Sequence, residues 1–268
     1  MKRALVFDSG VGGLSVADAM AGLALTIDYA ADNAWLPYGA KSDAELRTRC
    51  PALIAALAAQ LSPDVIVVAC NTASTIALDA VRAAVPQPVV GVVPPIKPAA
   101  AMTGSGVIGL LATPATVRRA YTDDLIARFA ADAHVVRFGS TALVAAAEAK
   151  LAGGAPDAGA VAEAIAGLFL APRGEEIDVV ALACTHFPLL AEELRTAAPR
   201  KVAWLDSGAA IARRVAEVSG CGAGSVQAAR AVFTGPLTAA LQRNAFERRG
   251  FSHFAQAPEG TAFTLSSA

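Results

Sequence analysis

Two cysteines stand where a thiol could do acid–base work. Cys70 lies in VVACNTAS and Cys184 in ALACTHFP, each at the end of an apolar run and directly before polar residues. A thiol with a free pKa of about 8.5 accepts a proton as thiolate and returns one as thiol. At the carboxyl end of a strand that leads into a helix, it also meets backbone N–H groups and the positive end of the helix dipole, which favour an anion. Asn71, Thr72 and Ser74 follow the first cysteine, and Thr185 and His186 follow the second. Two such thiols on opposite faces of a planar carbanion could take a proton from one side and deliver one to the other. Racemisation of a carbon acid has that symmetry. A disulfide is the competing use and needs Cα atoms within about 7 Å. Cys50, inside RTRCPALIAAL, and Cys221, in GCGAG, lack a polar cluster and read as small hydrophobes.

The thiols need a scaffold. Short apolar runs at 3–7, 26–30, 64–69, 88–93, 106–111, 134–138, 177–183 and 201–205 predict strands. They alternate with helical stretches near 14–22, 42–61, 74–84, 114–131, 141–151, 158–170, 189–197, 208–219 and 237–248. Continuous apolar strands between helices predict an α/β fold with mainly parallel sheets. The chain also repeats itself: 64–70 reads DVIVVAC and 178–184 reads DVVALAC. Asp8-Ser9-Gly10 follows the first strand, and Asp206-Ser207-Gly208 follows the last strand of the second half. The expectation is two pseudo-symmetric lobes, each a mainly parallel sheet flanked by helices, with the active site between them. The Pro-rich VVPPIKP at 92–98 reads as a crossover, giving one lobe from 1–95 plus 207–268 and a second from 96–206.

Composition excludes several classes. The 268 residues carry 22 basic against 23 acidic side chains, a net charge of −1, so no basic stripe marks a nucleic-acid partner. Hydrophobic content of 55% with 17% charge excludes a disordered chain. No run approaches the roughly 18 apolar residues of a membrane span. The opening MKRALVFDSG is too short in apolar residues for a signal peptide, and four scattered cysteines make no disulfide framework, so a cytoplasmic protein with reduced thiols is expected. Without CxxC or HExxH spacing, and with three histidines, no metal site is expected.

Other polar positions fall near strand ends. FDSGVGGLSV places Asp8 and Ser9 before glycines that let backbone approach a ligand. It is neither GxGxxG nor a Walker loop, so no dinucleotide or nucleoside triphosphate is expected. In ADNAWLPYGAKS, Asp32 precedes a Tyr38-Gly39 turn with Ser42 as a helix cap. Thr113 and Thr116 in LLATPATV read equally as caps and as ligand contacts. Taken alone, Glu148 reads as a solvated helical charge and His186 as an ordinary hydrogen-bonded histidine.

Read in order, DSGVGG, PYGAKS, VVACNTAS, VVGVVP, GLLAT, AEAKL, CTHFPLL and DSGAAIA closely resemble glutamate racemase, within the aspartate/glutamate racemase superfamily. The resemblance runs from about residue 5 to residue 215. It implies cofactor-independent interconversion of L- and D-glutamate for peptidoglycan, with Cys70 taking the α-proton of the D-enantiomer and Cys184 that of the L-enantiomer. It implies substrate contacts from Asp8, Ser9, Tyr38, Gly39, Asn71, Thr72, Thr185 and His186, with Asp8 and His186 as helpers of Cys70 and Cys184. Asp32 and Glu148 are implied as secondary polar groups. Two departures stand out: Asn33-Ala34-Trp35 replaces a common Thr-Ala-Arg, and Gly139-Ser140 replaces a common Cys-Pro. The resemblance implies a homodimer and admits a cell-wall-precursor activator and DNA gyrase as partners, with no membrane or direct nucleic-acid binding. The alternatives are a related two-cysteine racemase or isomerase acting on aspartate, a hydantoin or maleate, and a non-catalytic ligand-binding or gyrase-regulating protein.

Overall fold

A computed structural model describes residues 1–236 and 240–257. The chain divides into two compact units, the first comprising Met1–Val92, Leu151–Gly153 and the chain from Gly208 onward, the second Val93–Lys150 and Gly154–Ser207.

The first unit opens with β1 (Lys2–Asp8), α1 (Leu14–Ala19), β2 (Leu25–Ala31), α2 (Asp43–Leu61), β3 (Val65–Val68), α3 (Asn71–Ala84) and β4 (Val89–Gly91). β1 is buried from Ala4 onward and β3 throughout, as expected of central parallel strands covered on both faces. Ser42 caps α2 in a capping box: its Oγ accepts from the Glu45 N–H, and Glu45 accepts from the Ser42 N–H. The helix buries Leu46, Cys50, Leu53, Ile54, Leu57 and Leu61, a stripe at helical spacing that lies on the sheet.

The second unit holds α4 (Ile96–Met102), β5 (Val107–Ala112), α5 (Pro114–Val117), α6 (Ala120–Phe129), β6 (His134–Gly139), α7 (Ala142–Leu151), α8 (Ala158–Phe169), β7 (Val179–Ala183), α9 (Ala191–Ala197) and β8 (Ala203–Leu205). The chain then adds α10 (Gly208–Ser219), β9 (Gln227–Phe233), α11 (Ala240–Glu247) and β10 (His253–Gln256) to the first unit. The start of the helix expected over 237–248 lies outside the described residues.

The first sheet runs β10-β9-β2-β1-β3-β4 and the second β6-β5-β7-β8, every pairing parallel. Four strands of each follow one order: the second strand in the chain, then the first, third and fourth. β3 and β7 are therefore equivalent, and so are the two DVxxxAC segments that contain them. Phe7 pairs with Val68 and Leu111 with Leu182, which sets Ser9 and Thr113 in matching places beside the two cysteines. The DSG match does not survive this comparison. Asp8 is the last residue of the first of its four strands in the chain, whereas Asp206 follows the fourth, where the Ser207 hydroxyl donates to the Val93 carbonyl at 2.6 Å just before α10.

Three further differences have physical causes. VVPPIKP is not only a crossover: α4 begins inside it, because Pro98 falls in the first turn, where no N–H is required. The helix expected over 114–131 breaks at Arg118–Arg119, with Arg119 extended, and the Thr122 hydroxyl donates to the Thr116 carbonyl across the break at 2.6 Å. β9 and β10 were not expected at all.

Those two strands close the first unit's core. The ring of Phe246 lies edge-on to Tyr29, Phe233, Phe251 and Phe254 at centroid separations of 5.1, 5.2, 5.5 and 6.5 Å. Phe246→Ala should therefore lower unfolding stability by about 3–5 kcal/mol in urea titration. A loss below about 1 kcal/mol would mean that the aromatic cluster is not part of the cooperative core.

Candidate active site

In each sheet the order reverses between the first and third strands, which opens a crevice at their carboxyl ends. In the first unit Asp8 is the last residue of β1 and Ser9 follows it, and Cys70 lies two residues beyond β3 as the N-cap of α3. The fully buried Asp8 carboxylate accepts from the Ser9 N–H at 2.6 Å and from the Gly13 N–H. Gly13 must stay bare: a Cβ there would lie 2.8 Å from the Tyr29 hydroxyl and 3.0 Å from Asp8 Cβ. Ser9 Oγ lies 3.7 Å from Cys70 Sγ. Burial, and secondly the Asp8 charge, push the Cys70 thiol well above the ordinary range of a thiol; hydrogen bonds from the Ala73 N–H and Ser9 act the other way.

Asn71 and Thr72 occupy the first turn of α3 and are buried. Asn71 Oδ1 has no hydrogen-bond partner, the condition of an acceptor awaiting a ligand donor. Ser74 is committed elsewhere, donating to the Val68 carbonyl at 3.0 Å and accepting from the Val92 N–H at 3.1 Å. It ties α3 to two strands.

Tyr38 and Gly39 lie in a short 3-10 turn, Tyr38–Ala40, that packs on α3. The Tyr38 hydroxyl donates to Asp32 Oδ2 at 2.6 Å. Asp32 also receives two hydrogen bonds from Arg49, at 2.6 and 2.7 Å, and one from the Thr234 hydroxyl at 2.7 Å. Sequence reasoning passed over Arg49 and Thr234. Cys50 packs in the same core beneath Tyr38, and burial raises its thiol from 9.0 to about 12. The unfolded chain thus releases the Cys50 proton near pH 9 while the folded chain holds it to about 12. The fold should lose stability as pH rises through that window. Cys50→Ala should flatten the alkaline fall of the melting temperature, and an unchanged slope would refute the assignment.

In the second unit Cys184 ends β7, with Thr185 and His186 buried beside it. Cys184 Sγ is 3.9 Å from His186 Nδ1, and His186 Nε2 is 2.8 Å from Glu148 Oε1 on α7. Glu148 thus holds the imidazole with Nδ1 turned toward the thiol. Lys150 pairs with Glu193 at 2.7 Å, clipping α7 to α9. Thr113 caps α5, accepting from the Thr116 N–H, and its hydroxyl is 3.0 Å from that of Thr116. The structure thus gathers Asp8, Ser9, Asn71 and Thr72 around Cys70, and His186 and Glu148 beside Cys184. Asp32 is held in a network of its own. All four cysteines are free, and among the described residues no group of three His, Cys, Asp or Glu could hold a metal.

The family model described as Asp/Glu/Hydantoin racemase matches residues 15–215, most of the chain. The chain belongs to this racemase family. Among curated members it is 56% identical over 217 residues to the glutamate racemase of Sphingopyxis alaskensis, covering 80% of this chain and 81% of that one. It is 49% identical over 213 residues to the glutamate racemase of Shewanella sp. strain MR-4, covering 79% and 77%. Among solved structures of the family, Escherichia coli glutamate racemase in complex with L-glutamate and the activator UDP-MurNAc-Ala superposes with a TM-score of 0.87 at 40% identity, covering 99% of each chain. Among the described residues of this racemase, no helix is long and apolar enough to cross a membrane.

Proposed function

We propose that this racemase interconverts L- and D-glutamate by a two-base mechanism in which Cys70 and Cys184 work from opposite faces of the α-carbon. The observation that carries the reading is the equivalence of β3 and β7, which end in the two thiols within sheets of one strand order. In the L-to-D direction the Cys184 thiolate takes the α-proton and becomes a thiol. The Cα–H electron pair stays on the substrate as a carbanion. The Cys70 thiol then gives its proton to the other face and is left as thiolate. The return direction exchanges the roles. The carbanion is stabilised by preorganised donors from Ser9, Thr72 and Thr185 and by backbone N–H groups of the Tyr38-Gly39 turn. Asn71 Oδ1 is the natural acceptor for the substrate ammonium. Glutamate as substrate is supported by the glutamate racemases to which the chain is similar at 49–56% identity.

Incubation of the purified protein with L-glutamate in D₂O, without added cofactor, tests the reading. Loss of circular dichroism with deuterium at the α-carbon supports it. Exchange into aspartate but not glutamate, with or without a UDP-linked muropeptide, would move the substrate to a sister activity. No exchange into any acid would leave a non-catalytic binding role. The same proposal places the enzyme in the cytoplasm as a homodimer supplying D-glutamate for peptidoglycan. The activator bound to the Escherichia coli relative makes a muropeptide effector part of it. Regulation of DNA gyrase is tested separately, by supercoiling assay with a racemisation-dead variant.

A further inference from the structure

We infer that Arg49 is a positioning residue for the reaction: through Asp32 it fixes the Tyr38-Gly39 turn against the helix that begins at Cys70. The inference rests on the racemase reading for its functional consequence, and on the first unit alone for its geometry.

Asp32 is fully buried just beyond β2, and its carboxylate takes four hydrogen bonds. Arg49 supplies two as a fork, Nε to Oδ2 at 2.6 Å and Nη2 to Oδ1 at 2.7 Å, from the second turn of α2. Thr234 supplies the third at 2.7 Å from the end of β9, and Tyr38 the fourth at 2.6 Å. The only cation in this set is Arg49, whose guanidinium also lies 4.4 Å from the centre of the Trp35 ring. Around them the segment is tied down by Asn33, which accepts from the Gly235 N–H at 2.8 Å, and by Ala34 N–H donating to Thr234 Oγ1 at 3.2 Å.

A buried carboxylate stripped of its only cation must take up a proton or draw in water. Either change weakens the short Tyr38–Asp32 bond: a proton removes its ionised acceptor, and water competes with the tyrosine for the carboxylate. Tyr38 shares a core with Cys70 and Ala73, and its turn packs on α3. A shift of the tyrosine therefore moves the turn relative to the start of α3. Because the hydroxyl is committed to Asp32, the turn has its first backbone N–H groups to offer a ligand, and those are useful only if the turn is held. The fork matters as well as the charge: a lysine restores the cation but not two parallel bonds in one plane.

The test uses the full chain with Arg49→Met, Arg49→Lys, Tyr38→Phe and the Arg49→Met/Tyr38→Phe double variant, assayed well below each melting temperature. Arg49→Met should lower kcat/KM for glutamate about tenfold, with kcat falling as well as KM rising, and Arg49→Lys should lie in between. Tyr38→Phe should do the same, and the double variant should be no worse than the more severe single one. A lowered melting temperature with KM and kcat both unchanged would reduce Arg49 to a fold-stabilising residue and overturn the inference. So would additive effects of the two substitutions. Should Arg49→Met fail to fold, Thr234→Val, which removes one neutral donor, replaces it in the same cycle. Hydrogen exchange gives a readout independent of turnover: protection should fall over residues 33–41 in the Arg49 variants and hold elsewhere. If the parent protein turns over no glutamate, the racemase reading fails, and unchanged protection over 33–41 would still refute the positioning role.

Discussion

Serine in place of either Cys70 or Cys184 is expected to lower glutamate racemisation about 10³-fold, the middle of the range for a positioned acid or base. A serine hydroxyl keeps the size and the hydrogen bonds of the thiol but ionises far above it, so proton transfer is what is lost. Enantiomers are equally stable in water, so kcat/KM must fall by the same factor in both directions whichever cysteine is replaced. The two sites therefore differ only in partial reactions. Cys70→Ser retains the base on the L side and should still wash deuterium from D₂O into L-glutamate without forming the D-enantiomer. Cys184→Ser should do the reverse with D-glutamate. Racemisation retained in either variant, or exchange with no preference for one enantiomer, would exclude a one-base-per-face mechanism.

The parts of this molecule that were legible in its sequence are those whose signal is local. Continuous apolar runs announced β1, β3, β5 and β7, and the repeated DVxxxAC placed both thiols at strand ends because strand, turn and helix follow one another there within ten residues. The paired DSG was equally local and misled, since the two copies end strands at different positions in the sheet order. β9 escaped notice because QAARAVF has alanine and arginine where branched residues would mark a strand; its place is secured by pairing with β2, far away in the chain. The Asp32 network was invisible for the same reason. Its members lie 6, 17 and 202 residues from the aspartate, and nothing in RTRC distinguishes an arginine that turns inward from one that faces water. Glu148 illustrates the converse case: taken alone it is a helical charge, the resemblance marked it only as a secondary polar group, and the 2.8 Å contact with His186 shows what it touches.

That contact, set against Asp8, leads to the second large effect. Each thiol has a carboxylate nearby, but the two are wired differently. Glu148 touches an imidazole that faces Cys184, whereas Asp8 stands beside Cys70 and raises its pKa, after burial has already done so. Asp8→Asn removes a negative charge from the Cys70 environment, so the thiolate should form at lower pH and alkylation by iodoacetamide at fixed pH should accelerate. Turnover should nevertheless fall about 10²-fold, because a group able to take the thiol's proton as substrate binds has been replaced by one that cannot. His186→Asn should lower turnover by a similar factor and leave Cys70 alkylation unchanged. Isotope effects separate the two further. Weakening the Cys184 side makes abstraction from L-glutamate more rate-limiting, so His186→Asn should enlarge the primary effect of α-deuterated L-glutamate, and Asp8→Asn that of the D-enantiomer. If Asp8→Asn raised both alkylation and turnover, the free thiolate would be the limiting species and Asp8 merely an obstacle to it. Faster alkylation with slower turnover is the pattern that makes Asp8 the proton's destination.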